Sequence, residues 1–225
     1  MTYLIRALNP QLYIRNPEDS ALGKEIVGKG LLLIHEMGLE AFTFKKLADA
    51  IPTTEASVYR YFENKHRLLM YLINWYWTWL DYRLEKATNR CRKPDIKIKK
   101  SIQFFSAIVE VDNSVAHINE KLLYQVVIAE WTKSFFTSHV KDDNQSQFFQ
   151  SYKQLVVRFA SYLHDMNPSY PYSRTLASSI IEIAHSQKFY MQHLPKITNL
   201  TTKNNEKMLA TFLEGMVFST LSSYP

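Results

Sequence analysis

From Asn16 to Phe62 the apolar side chains fall into three short runs at helical spacing, and each run is opened by a residue able to cap a helix. This pattern constrains the fold more than any other feature. A strand needs strict alternation, and none persists here or elsewhere in the chain. Asn16 can cap the first run, Pro17 suits the first helical position, and Glu18 with Asp19 suit the positive end of the helix dipole. Leu22, Ile26, Val27, Leu31, Ile34 and Met37 then form an inner stripe, which Gly38 is placed to stop. Thr43 opens a second helix with Phe44, Leu47, Ala48 and Ile51 inward. Pro52 interrupts it, because the residue before a proline is pushed out of helical geometry. Thr53 or Thr54 caps a third run carrying Val58, Tyr59 and Phe62. Asn64 caps a fourth, which runs through Leu68, Leu69 and Leu72 to beyond Tyr82.

Helices this short are not stable alone, so their inner stripes must pack on one another. Three helices in so short a stretch, with a brief turn between the second and third, make the helix-turn-helix layout. Beyond a basic stretch, Lys86–Lys100, read as a solvated connection, helical patterns return over 97–111, 114–138, 144–166, 172–194 and 204–223. Breaks are expected at Asp112-Asn113, at Lys141-Asp142-Asp143-Asn144, at Asn167-Pro168 and at Pro195. Five Gly and eight Pro among 225 residues are too few for an all-β design, and 46% hydrophobic residues exclude a disordered chain. The expected fold is all-α, with about nine helices. It divides into an arm (1–15), a helix-turn-helix domain (16–64) and a C-terminal helical domain (65–225).

The net charge of +6 is uneven. Residues 71–100 hold eight basic against three acidic side chains, whereas 1–70 hold nine against eight and 101–225 hold ten of each. A basic balance suits a polyanionic partner but does not specify one. A single cysteine, Cys91, leaves no internal disulfide and no Cys-rich zinc site, as fits a reducing cytoplasm. The N-terminus has no apolar core of a signal peptide, and the stretch Tyr71–Leu80 is too short for a membrane span and carries Asn74 and Thr78. The expected location is cytoplasmic, without membrane association.

Residues 43–69 read TFKKLADAIPTTEASVYRYFENKHRLL. The segment resembles the N-terminal DNA-binding segment of TetR-family regulators, through Thr43, Leu47-Ala48, Thr54, Tyr59-x-x-Phe62, Lys65 and Leu68-Leu69 in gapless register. It departs at the turn, where Ile51-Pro52 replaces the usual Ala-Gly, and at Ala56, where Gly or Pro is usual. Glycine permits a positive φ there and proline does not, so the turn should differ in shape.

The resemblance implies a double-stranded DNA operator as partner. Thr54, Glu55, Ala56, Ser57 and Arg60 would meet base edges, and Arg60 is the favoured specificity residue because its fork pairs with guanine. Tyr59, Tyr61, Lys65, Thr43 and either Lys45 or Lys46 would contact phosphates. The plainer reading is packing for Tyr59, an exposed surface ring for Tyr61 and solvated charge for Lys45 and Lys46. Glu55 opposes phosphate but can accept from a cytosine amino group.

The resemblance further implies an effector cavity for a small apolar or aromatic ligand in the C-terminal domain, lined by a subset of Trp75, Trp79, Phe105, Tyr124, Trp131, Phe149 and Tyr152; otherwise these rings are core. It implies a homodimer through the last two helices, with Leu176, Ile180, Ile183, Phe212, Met216 and Thr220 at the interface, unless those stripes only close the subunit's own core. No cofactor, metal or catalytic residue is assigned. The histidines form no H-E-x-x-H motif, no nucleophile elbow or Gly-rich phosphate loop occurs, and Glu182-x-x-His185 is one copy of a di-iron motif that needs two. Two alternatives stand beside the regulator: a helical ligand-binding protein that no longer reads DNA, and a metal-dependent helical-bundle enzyme built on Glu182 and His185.

Overall fold

The computed structural model describes residues 8–107, 117–135, 140–201 and 205–225. These residues form ten α-helices and no strand: α1 Ala21–Ala41, α2 Phe44–Ala50, α3 Glu55–Tyr59, α4 Lys65–Thr88, α5 Pro94–Ser106, α6 Glu120–Phe135, α7 Val140–Gln145, α8 Gln150–Met166, α9 Ser173–His193 and α10 Asn205–Ser222. The fold is all-α. The expected break at Asp112-Asn113, residues 1–7 of the expected arm and the ends of the 97–111 and 114–138 segments lie outside the described residues. No helix among the described residues is long and apolar enough to cross a membrane.

Asn16 caps a single 3-10 turn, Pro17–Asp19, rather than the first helix. Helix α1 starts four residues later, where the Ser20 hydroxyl accepts from the Gly23 N–H. The delay leaves room for contact: a Cβ on Gly23 would sit 2.3 Å from the Pro17 carbonyl oxygen. Gly38 interrupts α1 at φ 75°, ψ 161°, a region open in practice only to glycine, but one further turn follows before Phe42. Thr43, Thr54 and Asn64 cap α2, α3 and α4 through side-chain oxygens that accept the N–H groups of Lys46, Ser57 and Arg67. Between α2 and α3 the Thr53 N–H donates to the Ile51 carbonyl at 2.7 Å. That bond closes a three-residue turn centred on Pro52, whose fixed φ suits it. Proline thus makes the turn by a different route from glycine.

Two expected boundaries move. The Lys86–Lys100 stretch is not a linker: α4 continues to Thr88, and α5 begins at Pro94 with Asp95 in its first turn. Ile98, Ile102 and Phe105 give α5 its buried stripe, and Lys86 and Lys97 lie over the rings of Tyr82 and Tyr162. The break expected at 141–144 falls later, because Asp142 and Asp143 occupy the first turn of α7, where acidic side chains suit the dipole. The chain turns after α7, with Gln147 at φ 59°.

The described residues fall into two compact units, one drawn from Met1–Trp79 and Val109–Tyr152, the other from Leu80–Ile108 and Lys153–Pro225. In the first unit every residue of α4 from Leu68 to Trp79 is buried, so this stretch is enclosed on all sides. Its polar residues are satisfied inside. The Asn74 amide donates to the Phe148 carbonyl at 2.6 Å and accepts from Ser151, and Thr78 donates to Ser151. Glu18 joins three elements at one carboxylate oxygen, which accepts from the Tyr71 hydroxyl and pairs with His117, each at 2.9 Å. In the second unit Arg158 holds Asp81 through two bonds of 2.6 and 3.0 Å. Lys188, buried on α9, donates to the Phe105 carbonyl at 2.7 Å in the last turn of α5. Burial pushes its ammonium down to about 7, with Glu206 opposing.

Candidate nucleic-acid interface

Helix α3 presents one face and hides the other. Val58 is fully buried, and with Tyr61 and Phe62, three and four residues on, it forms the inner stripe against the rest of the head. On the outside, Thr54, Glu55, Ala56 and Arg60 are exposed, and Ser57 is half-buried with its hydroxyl 3.0 Å from that of Thr54. The expected base-edge residues therefore share one accessible face. Tyr59 is divided between the two environments: its ring edge packs on Phe44 at 5.0 Å, and 47% of the residue remains exposed.

The expected phosphate contacts separate into two groups. Thr43 and Lys45 are exposed beside Tyr59's element, as a backbone contact requires. Tyr61 is 3% exposed and its hydroxyl lies 2.7 Å from the Ser20 hydroxyl, so its ring is an internal brace between α3 and α1. Lys65 does not project outward either. Its ammonium donates to the carbonyls of Leu39, Glu40 and Phe42 at 2.8, 3.0 and 3.3 Å. Lys46 donates to the Ala41 carbonyl at 2.7 Å. Both cations sit at the negative end of α1, where they satisfy carbonyls left open by the end of the helix. Sequence reasoning missed this pairing, since nothing local connects residue 65 to residue 40.

The expected effector residues lie mostly in the first unit and meet ring to ring. Trp75 stacks on Trp79 at 6.4 Å, and Trp131 meets Tyr152 at 5.0 Å and Phe149 at 6.0 Å. Tyr124 is reached through Tyr76, and Trp131 and Tyr152 also close on Trp77. Tyr76 and Trp77 were not among the sequence candidates, because a single helical stripe through Trp75 and Trp79 omits them. The Trp75 indole N–H is buried with no hydrogen-bond acceptor among the described residues. Burial raises the Tyr76 and Tyr124 hydroxyls above their ordinary pKa and keeps them neutral. Phe105 belongs to the second unit, where its ring meets Phe159 at 5.2 Å.

The expected dimer residues also divide. Leu176 and Ile180 are buried within their own unit, and Ile183, Met216 and Thr220 are half-buried. Phe212 is 46% exposed. On α10, Leu209, Leu213, Val217 and Leu221 point inward, while Met208, Phe212 and Met216 form the outer stripe one residue ahead. His185 is buried with its Nδ1 2.7 Å from the Ile181 carbonyl, which a neutral ring can satisfy by donation; burial and the neighbouring Lys188 charge hold its pKa down to about 3. Among the described residues no three His, Cys, Asp or Glu side chains are grouped to hold a metal ion.

An all-helical chain with a capped, outward-facing second helix of a helix-turn-helix belongs to the class of DNA-binding regulators. Residues 26–72 match the family of bacterial regulatory proteins described as tetR family. Over these residues the chain carries the DNA-binding segment of that family. No curated protein matches it. Its fold resembles the ketosteroid transcriptional regulator KstR2 of Mycobacterium tuberculosis, at 15% identity over 85% of this chain and 92% of that one, with a TM-score of 0.56. It also resembles AibR in complex with isovaleryl coenzyme A and operator DNA, at 15% identity over 86% and 96%, TM-score 0.57. A third likeness is the SmeT–triclosan complex, at 16% identity over 89% and 90%, TM-score 0.56. These neighbours are described as regulators or as ligand complexes, and none is described as an enzyme.

Proposed function

We propose that this protein is an effector-responsive repressor that acts in the cytoplasm and binds a pseudo-palindromic operator as a homodimer. The observation that carries the reading is the exposed outer face of α3, with Thr54, Glu55, Ala56 and Arg60 accessible together. Residues 16–64 act as the DNA-reading head and 65–225 as the regulatory body. Thr54, Glu55, Ala56, Ser57 and Arg60 read bases in the major groove; Thr43, Lys45 and Tyr59 hold the flanking phosphates. Tyr61, Lys46 and Lys65 support them from behind through Ser20 and the end of α1.

The outer stripe of α10, with Ile183 on α9, supplies the dimer contact. A twofold pair sets two recognition helices about 34 Å apart, one turn of duplex. The effector is a small apolar or aromatic molecule taken into the ring cluster of Trp75, Trp79, Tyr124, Trp131, Phe149 and Tyr152, and its polar edge includes an acceptor for the Trp75 N–H. Its binding shifts α4, which carries both the cluster and the head, and so changes the spacing of the heads. It regulates only in so far as it binds the two spacings with different affinity. The AibR complex with isovaleryl coenzyme A and operator DNA, and the SmeT complex with triclosan, support this plan by fold analogy.

The test is selection of bound sequences from random duplexes by the wild-type chain and by Arg60→Ala. The wild type should enrich a site with two related halves. The substitution should relax preference at one position per half, costing on the order of 1–3 kcal/mol there. Failure to enrich any sequence would remove the DNA-reading assignment.

A further inference from the structure

The chain that precedes α1 is fastened to the recognition helix. Leu8 and Leu12 are buried, and the Asn9 amide donates to the Ser146 carbonyl at 2.6 Å. The Tyr13 ring stands edge-on to Tyr71 at 6.2 Å. The Ile14 N–H then donates to the Tyr61 carbonyl at 2.8 Å. Tyr61 directly follows Arg60, the residue that closes α3. Residues 8–15 are therefore pinned at both ends, and their last two side chains emerge at Tyr61, just past the end of α3. Ile14 is 66% exposed and Arg15 is exposed, with its guanidinium 5.4 Å from the centroid of the Tyr61 ring.

Arg15 rests on an aromatic face, and no carboxylate pairs with it among the described residues. Its charge remains available to an anion. The neighbouring surface is short of such charge: the first seventy residues are nearly neutral, Glu55 is exposed on α3, and Lys46 and Lys65 are engaged with α1 carbonyls. A duplex seated on α3 would bring a phosphate row past the end of that helix, where backbone contacts fix register. A guanidinium held there by a fixed backbone and a ring face loses little freedom on binding.

We propose that Arg15 contacts a backbone phosphate of the bound duplex, beside the groove read by α3. This inference rests on the DNA-reading assignment above. The test is anisotropy of a labelled duplex carrying the selected site, and of a scrambled duplex, titrated with the full chain between 50 and 200 mM salt. Wild type, Arg15→Ala, Arg15→Lys and Arg60→Ala are compared. Loss of one phosphate contact lowers the magnitude of the log–log salt slope by about 0.9 for each subunit on the duplex. The affinity deficit of Arg15→Ala should accordingly shrink about threefold to fourfold per subunit across that salt range, equally for both duplexes. Arg15→Lys should restore the slope, because it keeps the charge.

An unchanged slope for Arg15→Ala, with Arg60→Ala losing its sequence preference, would overturn the Arg15 assignment and leave the DNA-reading assignment intact. A deficit confined to the selected duplex would overturn it as well, since that marks a base contact. If the wild type bound neither duplex in a salt-dependent way, both assignments would fall together. Circular dichroism of Arg15→Ala should match the wild type, and a variant that lost helicity would be replaced in the comparison by Arg15→Gln.

Discussion

Replacing Glu18 by Gln tests whether the buried node of Glu18, Tyr71 and His117 holds the head in place. Glu18 is 8% exposed, and one of its oxygens receives both 2.9 Å contacts. Its second oxygen is buried without a partner among the described residues, so the amide nitrogen of Gln would have no acceptor among them. A hydrogen bond to a charged group contributes about 1.5–3 kcal/mol and a neutral one about 0.5–1.5. Two such contacts weaken together, and the smaller desolvation of an amide offsets part of the loss. The net cost is about 2 kcal/mol, or about 4–8 °C in melting temperature for a chain of this size. Burial pushes the carboxyl up, but the hydrogen bond and charge of His117, aided by Tyr71 and Lys24, hold it below its ordinary value. A carboxylate lowered in the folded state contributes fully above the ordinary carboxylate range and loses that contribution as pH falls through the folded value. Thermal melts of the two chains should therefore lie apart at neutral pH and converge on acidification. Equal melting at neutral pH, or a gap that persists at acid pH, would show that the node does not stabilise the fold through its charge. A cycle with His117→Gln should return a coupling of at least about 0.5 kcal/mol.

Gly38→Ala should destabilise the chain by about 1–3 kcal/mol in denaturant unfolding, because φ 75° with ψ 161° excludes a Cβ; nothing lies within 4 Å, so a loss near zero would mean the break relaxes. Phe212→Asp should shift the chain to monomer in analytical ultracentrifugation while leaving helicity unchanged, whereas a dimer that persists would place the interface elsewhere. Lys188, at about 7 in the folded state, is charged in the unfolded chain up to its ordinary range near 10.5, so stability should rise from pH 7 toward pH 9. That rise should be absent in Lys188→Met, and its persistence there would assign it to another group.

The parts of the fold legible in the sequence are those set by contacts three or four residues apart. Thr43, Thr54 and Asn64 could be read as caps because a side-chain oxygen reaches the N–H three residues on without help from elsewhere. Tyr61, expected at a phosphate, stands three residues after Val58, and that spacing carries it onto the inner stripe. What was not legible came from partners distant in the chain. The last turn of α1 survives past Gly38 because Lys46 and Lys65 reach its carbonyls. The basic stretch 86–100 became helical because Ile98, Ile102 and Phe105 found a core, an outcome that charge density does not reveal. On α10 the inner and outer stripes are one residue out of phase, so only packing separates Leu213 from Phe212.

The placement of cations in the head bears on how DNA would be read. Lys46 and Lys65 are turned toward α1 carbonyls, while Lys45, Arg60 and Arg15 are exposed basic groups of the head. Non-specific affinity for duplex scales with the number of phosphates neutralised, so a head with few outward cations binds random DNA weakly. Glu55 lowers it further by repelling phosphate wherever no cytosine amino group is available. Under the proposed function, discrimination therefore comes mainly from the hydrogen-bonding face of Thr54, Glu55, Ser57 and Arg60, and the same scarcity of charge makes each flanking contact count. Lys46 and Lys65, held at the end of α1 by its carbonyls, tie α1 to α2 and α4 and so help to set the pose of α3.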